Sequence, residues 1–339
     1  MPSFPDLPTE ILMEIVSHYS PLIHGVPTGE RFAGDTALHA ESPGFIVLET
    51  VNESLVGNET LRALSQTSRI FRAIFLPVLW ARFHACFTEH NGPKRKIKTR
   101  AKMLERRMKG IQKTPYIVPY IRSLSVTLTE CNTDNWQPMA EFIRVLDLLT
   151  NLKDLTILSV RSQMVEVLST SCKGKVFSSV SRLALDNNLA PIMASFPNIH
   201  TLTFIWTSCI DVLQAVKESC KQIETINHFS LSPEVVQCLR DAVPNVRRLM
   251  LWSYYGLSKL SLLEGMEALS ELRINHRPLY HPYGHFNARQ LQPLSQGVVA
   301  AAKRVLHTSK AVERKRLRIY EIASGGLPKE TLIDVGAHL

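Results

Sequence analysis

Pro197-Asn198-Ile199-His200-Thr201-Leu202-Thr203-Phe204 and Pro244-Asn245-Val246-Arg247-Arg248-Leu249-Met250-Leu251 have one shape: an apolar residue, two others, an apolar residue, one other, an apolar residue. Five more strings repeat it in whole or in part. They are the stretch 118–126 ending Leu124-Ser125-Val126, Leu152-Lys153-Asp154-Leu155-Thr156-Ile157, Val180-Ser181-Arg182-Leu183-Ala184-Leu185, Ile223-Glu224-Thr225-Ile226 and Leu269-Ser270-Glu271-Leu272-Arg273-Ile274. The last two apolar positions are two residues apart, so they share one face of a short strand. Amphipathic stretches lie between the strings, at 139–149, 209–220, 232–242 and 258–269. Met139, Phe142, Ile143, Leu146 and Leu149 show their helical period. Pro-Asn or Thr-Asn precedes three strings, at 197–198, 244–245 and 150–151.

The central apolar positions are 124, 155, 183, 202, 226, 249 and 272, with gaps of 31, 28, 19, 24, 23 and 23. That spacing resembles leucine-rich repeats, whose units run roughly 20–29 residues. Leu183-Ala184-Leu185-Asp186-Asn187-Asn188 alone carries the asparagine of the fuller consensus, so the repeats are degenerate. The resemblance implies an α/β solenoid of stacked strand–helix units, with parallel strands lining a concave face. An ordinary α/β domain with irregular βα units is the alternative. Gln296–Thr308 reads as a further helix and the alternating stretch 316–322 as a terminal strand, whose outward basic residues would blunt its edge. The segment 276–287 reads as a surface loop.

The first ninety residues have a different pattern. Residues 8–19 predict a short amphipathic helix with Pro8 in its first turn. A second helix is expected over 59–65, and a third from Ser68 carrying Ile70, Phe71, Ile74 and Phe75; Pro77 would then open a short final turn holding Leu79 and Trp80. In order, Leu7-Pro8-Thr9-Glu10-Ile11-Leu12, Leu64-Ser65-Gln66-Thr67-Ser68-Arg69-Ile70-Phe71-Arg72 and Leu76-Pro77-Val78-Leu79-Trp80 resemble an F-box of the F-box-like type common in fungal adaptor proteins. The chain departs from that family in a Gly/Pro/Ser/Thr-rich insertion at about 20–58, in Ser68 where cysteine is usual, and in Phe71 where tryptophan is usual.

The resemblance implies an N-terminal three-helix docking module for the small Skp adaptor, and through it a cullin–RING (SCF-type) ubiquitin ligase. Leu7, Pro8, Ile11, Leu12, Ile15, Leu61, Leu64, Phe71 and Trp80 would form or support its docking face. The repeat domain would hold an unknown protein substrate. Residues between and beside the strand leucines face the concave side. Thr203, Ile205, Arg248, Met250, Trp252, Arg273 and Asn275 are therefore the candidate substrate contacts, or else decorate a solvated face. The implied organisation is an F-box-like domain (1–90), a basic helical linker (91–115), the repeat solenoid (116–290) and a C-terminal helix, strand and tail (291–339).

Composition is that of a globular chain: 339 residues, 45% hydrophobic and 20% charged. No apolar run reaches the length of a membrane span, and acidic residues interrupt the N-terminal stretch where a leader's apolar core would lie. Six scattered cysteines without a C-x-x-C pair predict a reducing compartment, cytoplasmic or nuclear, and no zinc site. No G-x-S-x-G, phosphate loop, dinucleotide fingerprint or H-E-x-x-H occurs, and His281 and His285 are parted by Pro282 and Gly284. The sequence therefore predicts neither catalysis nor a cofactor.

Residues 94–113 hold ten Lys or Arg against Glu105 alone, a local charge of +9 that equals the charge of the whole chain. The block reads first as a solvated helix touching a neighbour through Ile97, Met103, Leu104 and Met108. Its alternative readings are a nuclear-targeting or acidic-partner patch and, last, a nucleic-acid contact, since no aromatic residue falls inside it to stack on bases. The functional alternatives to a ligase adaptor are a plain interaction scaffold and a nucleic-acid-associated protein.

Overall fold

A computed structural model describes residues 59, 61–85, 96–128, 137–158, 160, 162–205, 209–252, 257–276, 294–321 and 329–336. The predicted first helix with Leu7, Pro8, Ile11, Leu12 and Ile15, the insertion at 20–58 and most of the 276–287 loop lie outside these residues. The chain divides into two compact units, Met1–Ser171 and Cys172–Leu339.

In the first unit residues 61–67 are helical, and α1 (Arg69–Trp80) follows at once. Ser68 separates the two because its hydroxyl accepts the Phe71 amide at 3.1 Å and caps α1. Leu61, Phe71 and Phe75 form a small buried cluster, with Leu64, Ile74, Val78 and Leu79 packed on it. Phe71 and Phe75 meet edge to face, with centroids 5.5 Å apart. Contrary to expectation, Pro77 opens no separate turn: α1 runs through it to Trp80. Pro77 has no N–H to donate, so the backbone hydrogen bond it forgoes falls in the last turn of the helix. Strand β1 (Arg82–Ala85), which the sequence did not suggest, begins two residues after α1, and Trp80 stacks on its Phe83.

Strands β2 (Ser123–Thr127) and β3 (Asp154–Leu158) complete a parallel set in the order β1-β2-β3. Helix α2 (Lys96–Lys113) precedes a 3-10 segment, Pro115–Tyr120; α3 (Pro138–Leu148) lies between β2 and β3, and α4 (Ser162–Cys172) follows β3. Of the residues expected to touch a neighbour, Leu104 and Met108 of α2 are buried, with Ala101 and Ile111 beside them, whereas Met103 lies 41% exposed and the side chain of Ile97 lies outside the described residues. The helix packs against α3, where Gln112 donates to buried Glu141 at 2.6 Å, and Arg144 pairs with the other oxygen of that carboxylate at 2.6 Å. Arg107 also donates to the His84 carbonyl of β1. Burial, then Arg82 and Arg107, push the His84 imidazole down to about 4, so it is neutral at physiological pH.

In the second unit the strands run in chain order: β4 (Arg182–Leu185), β5 (Thr201–Phe204), β6 (Thr225–Asn227), β7 (Arg248–Trp252), β8 (Glu271–His276), β9 (Arg316–Glu321) and β10 (Lys329–Asp334). β4 through β9 are parallel neighbours, while β10 pairs antiparallel with β9. The alternating stretch at 316–321 is thus a strand but not a terminal one, and β10 covers the edge it was expected to blunt. α5 (Ile210–Ser219), α6 (Pro233–Ala242), α7 (Gln296–Thr308) and the 3-10 segments Asn187–Ser195 and Leu257–Leu263 fill the connections. Ser232 and Ser295 cap α6 and α7 by accepting the Val235 and Val298 amides at 3.3 and 3.4 Å.

The helix expected over 258–269 shortens to that second 3-10 segment. Gly265 turns the chain at φ +90°, a conformation that favours glycine, and Arg240 donates to the Leu262 and Glu264 carbonyls beside it at 2.7 and 2.6 Å.

The predicted strand centres fall in register. Leu124 lies opposite Leu155, and in the second unit Leu183, Leu202, Ile226, Leu249 and Leu272 stand opposite one another in sequence. Phe83 and Leu317 extend the two rows. All seven predicted centres are buried. One hydrogen-bond device recurs beside them. The carbonyl just before a strand accepts two successive amides of the next strand's start: Ala81 from Arg122 and Ser123, Arg122 from Lys153 and Asp154, Ser181 from His200 and Thr201, His200 from Glu224 and Thr225, Glu224 from Arg247 and Arg248, Arg247 from Ser270 and Glu271.

Two of the three asparagines in the Thr-Asn and Pro-Asn dipeptides serve the same stacking. Asn151 donates to the Pro119 carbonyl and Asn198 to the Ser178 carbonyl, each at 3.0 Å. Asn198→Ala removes one such tie near the surface and is expected to lower stability by about 1 kcal/mol, read from the urea midpoint at an unchanged m-value.

Candidate interaction surfaces

Strand alternation puts the candidate substrate residues on the side of the sheet opposite the leucines, as expected. Their availability differs. Thr203, Ile205, Met250, Arg273 and Asn275 are all buried, between 1% and 6% exposed. This corrects the expectation of an open contact face, and the physical reason is lateral pairing: strands about 4.8 Å apart bring these side chains onto one another. Asn227 donates to the Thr203 hydroxyl at 3.0 Å, and the Asn275 amide reaches the Met250 sulfur at 3.1 Å. Of the seven, Arg248 keeps partial exposure and pairs with Glu224 at 3.5 Å. Trp252 ends β7 opposite Asn275, and its side chain lies outside the described residues.

A charged ladder crosses the last three strands of that face. Buried Glu271 holds the guanidinium groups of Arg273 and Arg318, each at 2.7 Å. Arg318 also reaches Glu330 at 2.8 Å, and the Tyr320 hydroxyl donates to the same carboxylate at 3.2 Å. Burial pushes the Tyr320 phenol up. Two acids and two arginines balance, so the ladder is formally neutral. Arg318, Tyr320 and Glu330 were not among the predicted contacts. Period-two alternation in 316–322 placed Arg318 and Tyr320 on one face, but their carboxylate partner comes from a strand with no legible centre.

A groove lies at the N-terminal ends of β7, β8 and β9, lined by Arg240, Arg247, Glu267, Lys310, Val312 and Glu313 among others. Its charges are internally matched: Arg247 with Glu313, Lys310 with Glu267, and Arg240 with the two carbonyls named above. Val312 stands wholly exposed at its rim.

On the helical pair of the first unit, Leu61 and Phe71 are 4% and 3% exposed, so they support the pair from inside. Leu64 and Trp80 are half-buried. Ile70, on the same helix as Phe71, is 55% exposed. One helical step of about 100° carries it out of the cluster that Phe71 enters.

No group of three or more His, Cys, Asp or Glu residues that could hold a metal occurs among the described residues. Nor is any helix among them long and apolar enough to cross a membrane. Burial pushes the thiols of Cys209 and Cys220 up, that of Cys209 to about 12, which suits packing and not nucleophilic chemistry. The chain matches no protein-family model, and no curated protein matches it at a significant level.

Proposed function

We propose that this chain is a non-catalytic adaptor of the F-box type, whose helical N-terminal module docks on a Skp-family adaptor of a cullin–RING ubiquitin ligase while a degenerate leucine-rich-repeat array holds a protein substrate. The observation that carries the reading is the coincidence of sequence segment and element. The second and third F-box-like segments fall on a Ser68-capped helical pair closed around Leu61, Phe71 and Phe75. The repeat half of the reading is supported by the in-register rows of predicted centres and by the recurring doubly accepting carbonyl. Such an adaptor would make no bond to ubiquitin; it would raise the substrate's effective concentration near the loaded enzyme.

Within this reading the substrate surface contracts. Buried Thr203, Ile205, Met250, Arg273 and Asn275 frame the face, and the half-open residues at its margin, Arg248, Arg318, Tyr320 and Glu330, are left to meet a partner. The full chain is expected to co-elute with a purified Skp adaptor. Leu7→Ala with Pro8→Ala is expected to weaken the complex at least tenfold, and Ile70→Glu to do the same without lowering the melting temperature, because its side chain is already in water. An intact chain that leaves the Skp adaptor unbound at micromolar concentrations would reduce the module to a scaffold element.

A further inference from the structure

Residues 94–113 carry a local charge equal to that of the whole chain, and all of their cations except Lys94 and Arg95 lie on α2. Lys102, Arg106, Lys109 and Lys113 are all exposed. Their spacing of four, three and four residues sets them in one stripe, opposite the buried face of Ala101, Leu104, Met108 and Ile111. The only acid of the block, Glu105, is buried and engaged by Lys109. Lys102, Arg106 and Lys113 have no ion-pair partner among the described residues.

Nothing in folding calls for this arrangement. A solvated helix face ordinarily mixes signs. Here Lys102/Arg106 and Lys109/Lys113 are like charges one turn apart, which opposes the helix. Its first turn has no acid and three cations, Lys96, Lys98 and Arg100, lie in its first five residues, against the helix dipole. The packing that holds α2 on α3 uses the opposite face.

We infer that the α2 stripe is a docking surface for an acidic, extended polypeptide segment of a partner protein. Charge complementarity specifies the sign. The stripe's width of one side chain on a convex helix offers no pocket, which suits an acidic run that stays extended through self-repulsion. Three of the four cations are lysines, compact point charges without the planar fork that favours phosphate and base edges. Among the described side chains of the stripe there is no aromatic platform for bases. Met103, 41% exposed beside the stripe, gives an apolar contact that a peptide side chain can use.

The test uses the full chain and a fluorescent 20-residue polyglutamate peptide, a 20-nucleotide single-stranded RNA and phosphatidylserine vesicles. The peptide is expected to bind tightest at low ionic strength and to weaken at least tenfold on moving to about 0.5 M salt, as screening requires. Changing Lys102, Arg106 and Lys113 together to Gln, with Lys109 kept on buried Glu105, is expected to weaken binding at least tenfold while leaving the melting temperature unchanged or higher, since like-charge repulsion is relieved. Changing Lys173, Lys221 and Arg304 to Gln, an equal loss of exposed charge elsewhere, is expected to weaken it less than threefold. Tighter binding of RNA or vesicles than of peptide, an equal response to the two triple variants, or no peptide binding would each overturn the inference. None of these readouts involves the Skp adaptor, so this site and the F-box reading stand or fall separately.

Discussion

Truncating Leu202 to alanine is expected to lower the free energy of unfolding by about 2–5 kcal/mol. Leu202 is wholly buried at the centre of β5, with Leu183 opposite on one side and Ile226 on the other. Removing its branched end takes away transfer free energy and leaves a cavity in a row where both neighbours are fixed by strand pairing. The rigid backbone of a parallel sheet cannot close that gap by sliding, because a one-residue slip would turn every side chain to the other face. Urea unfolding followed by circular dichroism measures the loss as a lower midpoint at constant m-value. Leu332 on β10, 51% exposed, provides the contrast: its alanine variant is expected to shift stability by no more than about 0.5 kcal/mol. Comparable losses at both positions would contradict the register described here.

Glu271→Ala is expected to be as damaging, about 3–5 kcal/mol, for a different reason. Glu271 is 8% exposed, and Arg273, which it holds, is 4% exposed. Deleting the carboxylate removes a counter-charge 2.7 Å from buried Arg273 and leaves Arg318 its pair with Glu330. The destabilisation is mostly the cost of keeping guanidinium charge buried with less compensation, and not the worth of the pair. Replacing Glu271, Arg273 and Arg318 together by Leu, Met and Met is therefore expected to recover much of the loss, since apolar groups of similar volume remove the desolvation penalty along with the attraction. A triple variant no more stable than Glu271→Ala would show that the ladder contributes net stability. Both sets are read by the same urea titration.

Much of the strand framework was legible because its signal is local. Two apolar residues at i and i+2, preceded by one at i−3, mark a strand centre within six residues, and the flagged centres inside each unit stand opposite one another. The helices at 138–148, 210–219, 233–242 and 296–308 were readable from apolar period, and all but the second also from serine or proline at their starts. Their cousin after β7 was misread, because the same apolar period continues through Gly265, where a positive φ and the Arg240 contacts end it. β1 escaped notice because Arg82-Phe83-His84-Ala85 has one large apolar residue, and β10 because Leu332 is half outside. The left-handed backbone of His228, at φ 61° just after β6, is likewise unannounced by its residue type.

By itself, then, the sequence determined where strands begin, which of their residues face the core and where the chain concentrates its charge, since each depends on neighbours within a turn or two. Tertiary structure alone decided which of those residues reach solvent. Thr203 and Arg273 alternate outward by sequence, yet are buried by partners 24 residues away and on adjacent strands. Lys102, Arg106 and Lys113 have the same formal character as Arg273 and remain in water, because only the packing of α2 on α3 chooses the face that is covered. Burial is a property of long-range pairing, and no local pattern encodes it.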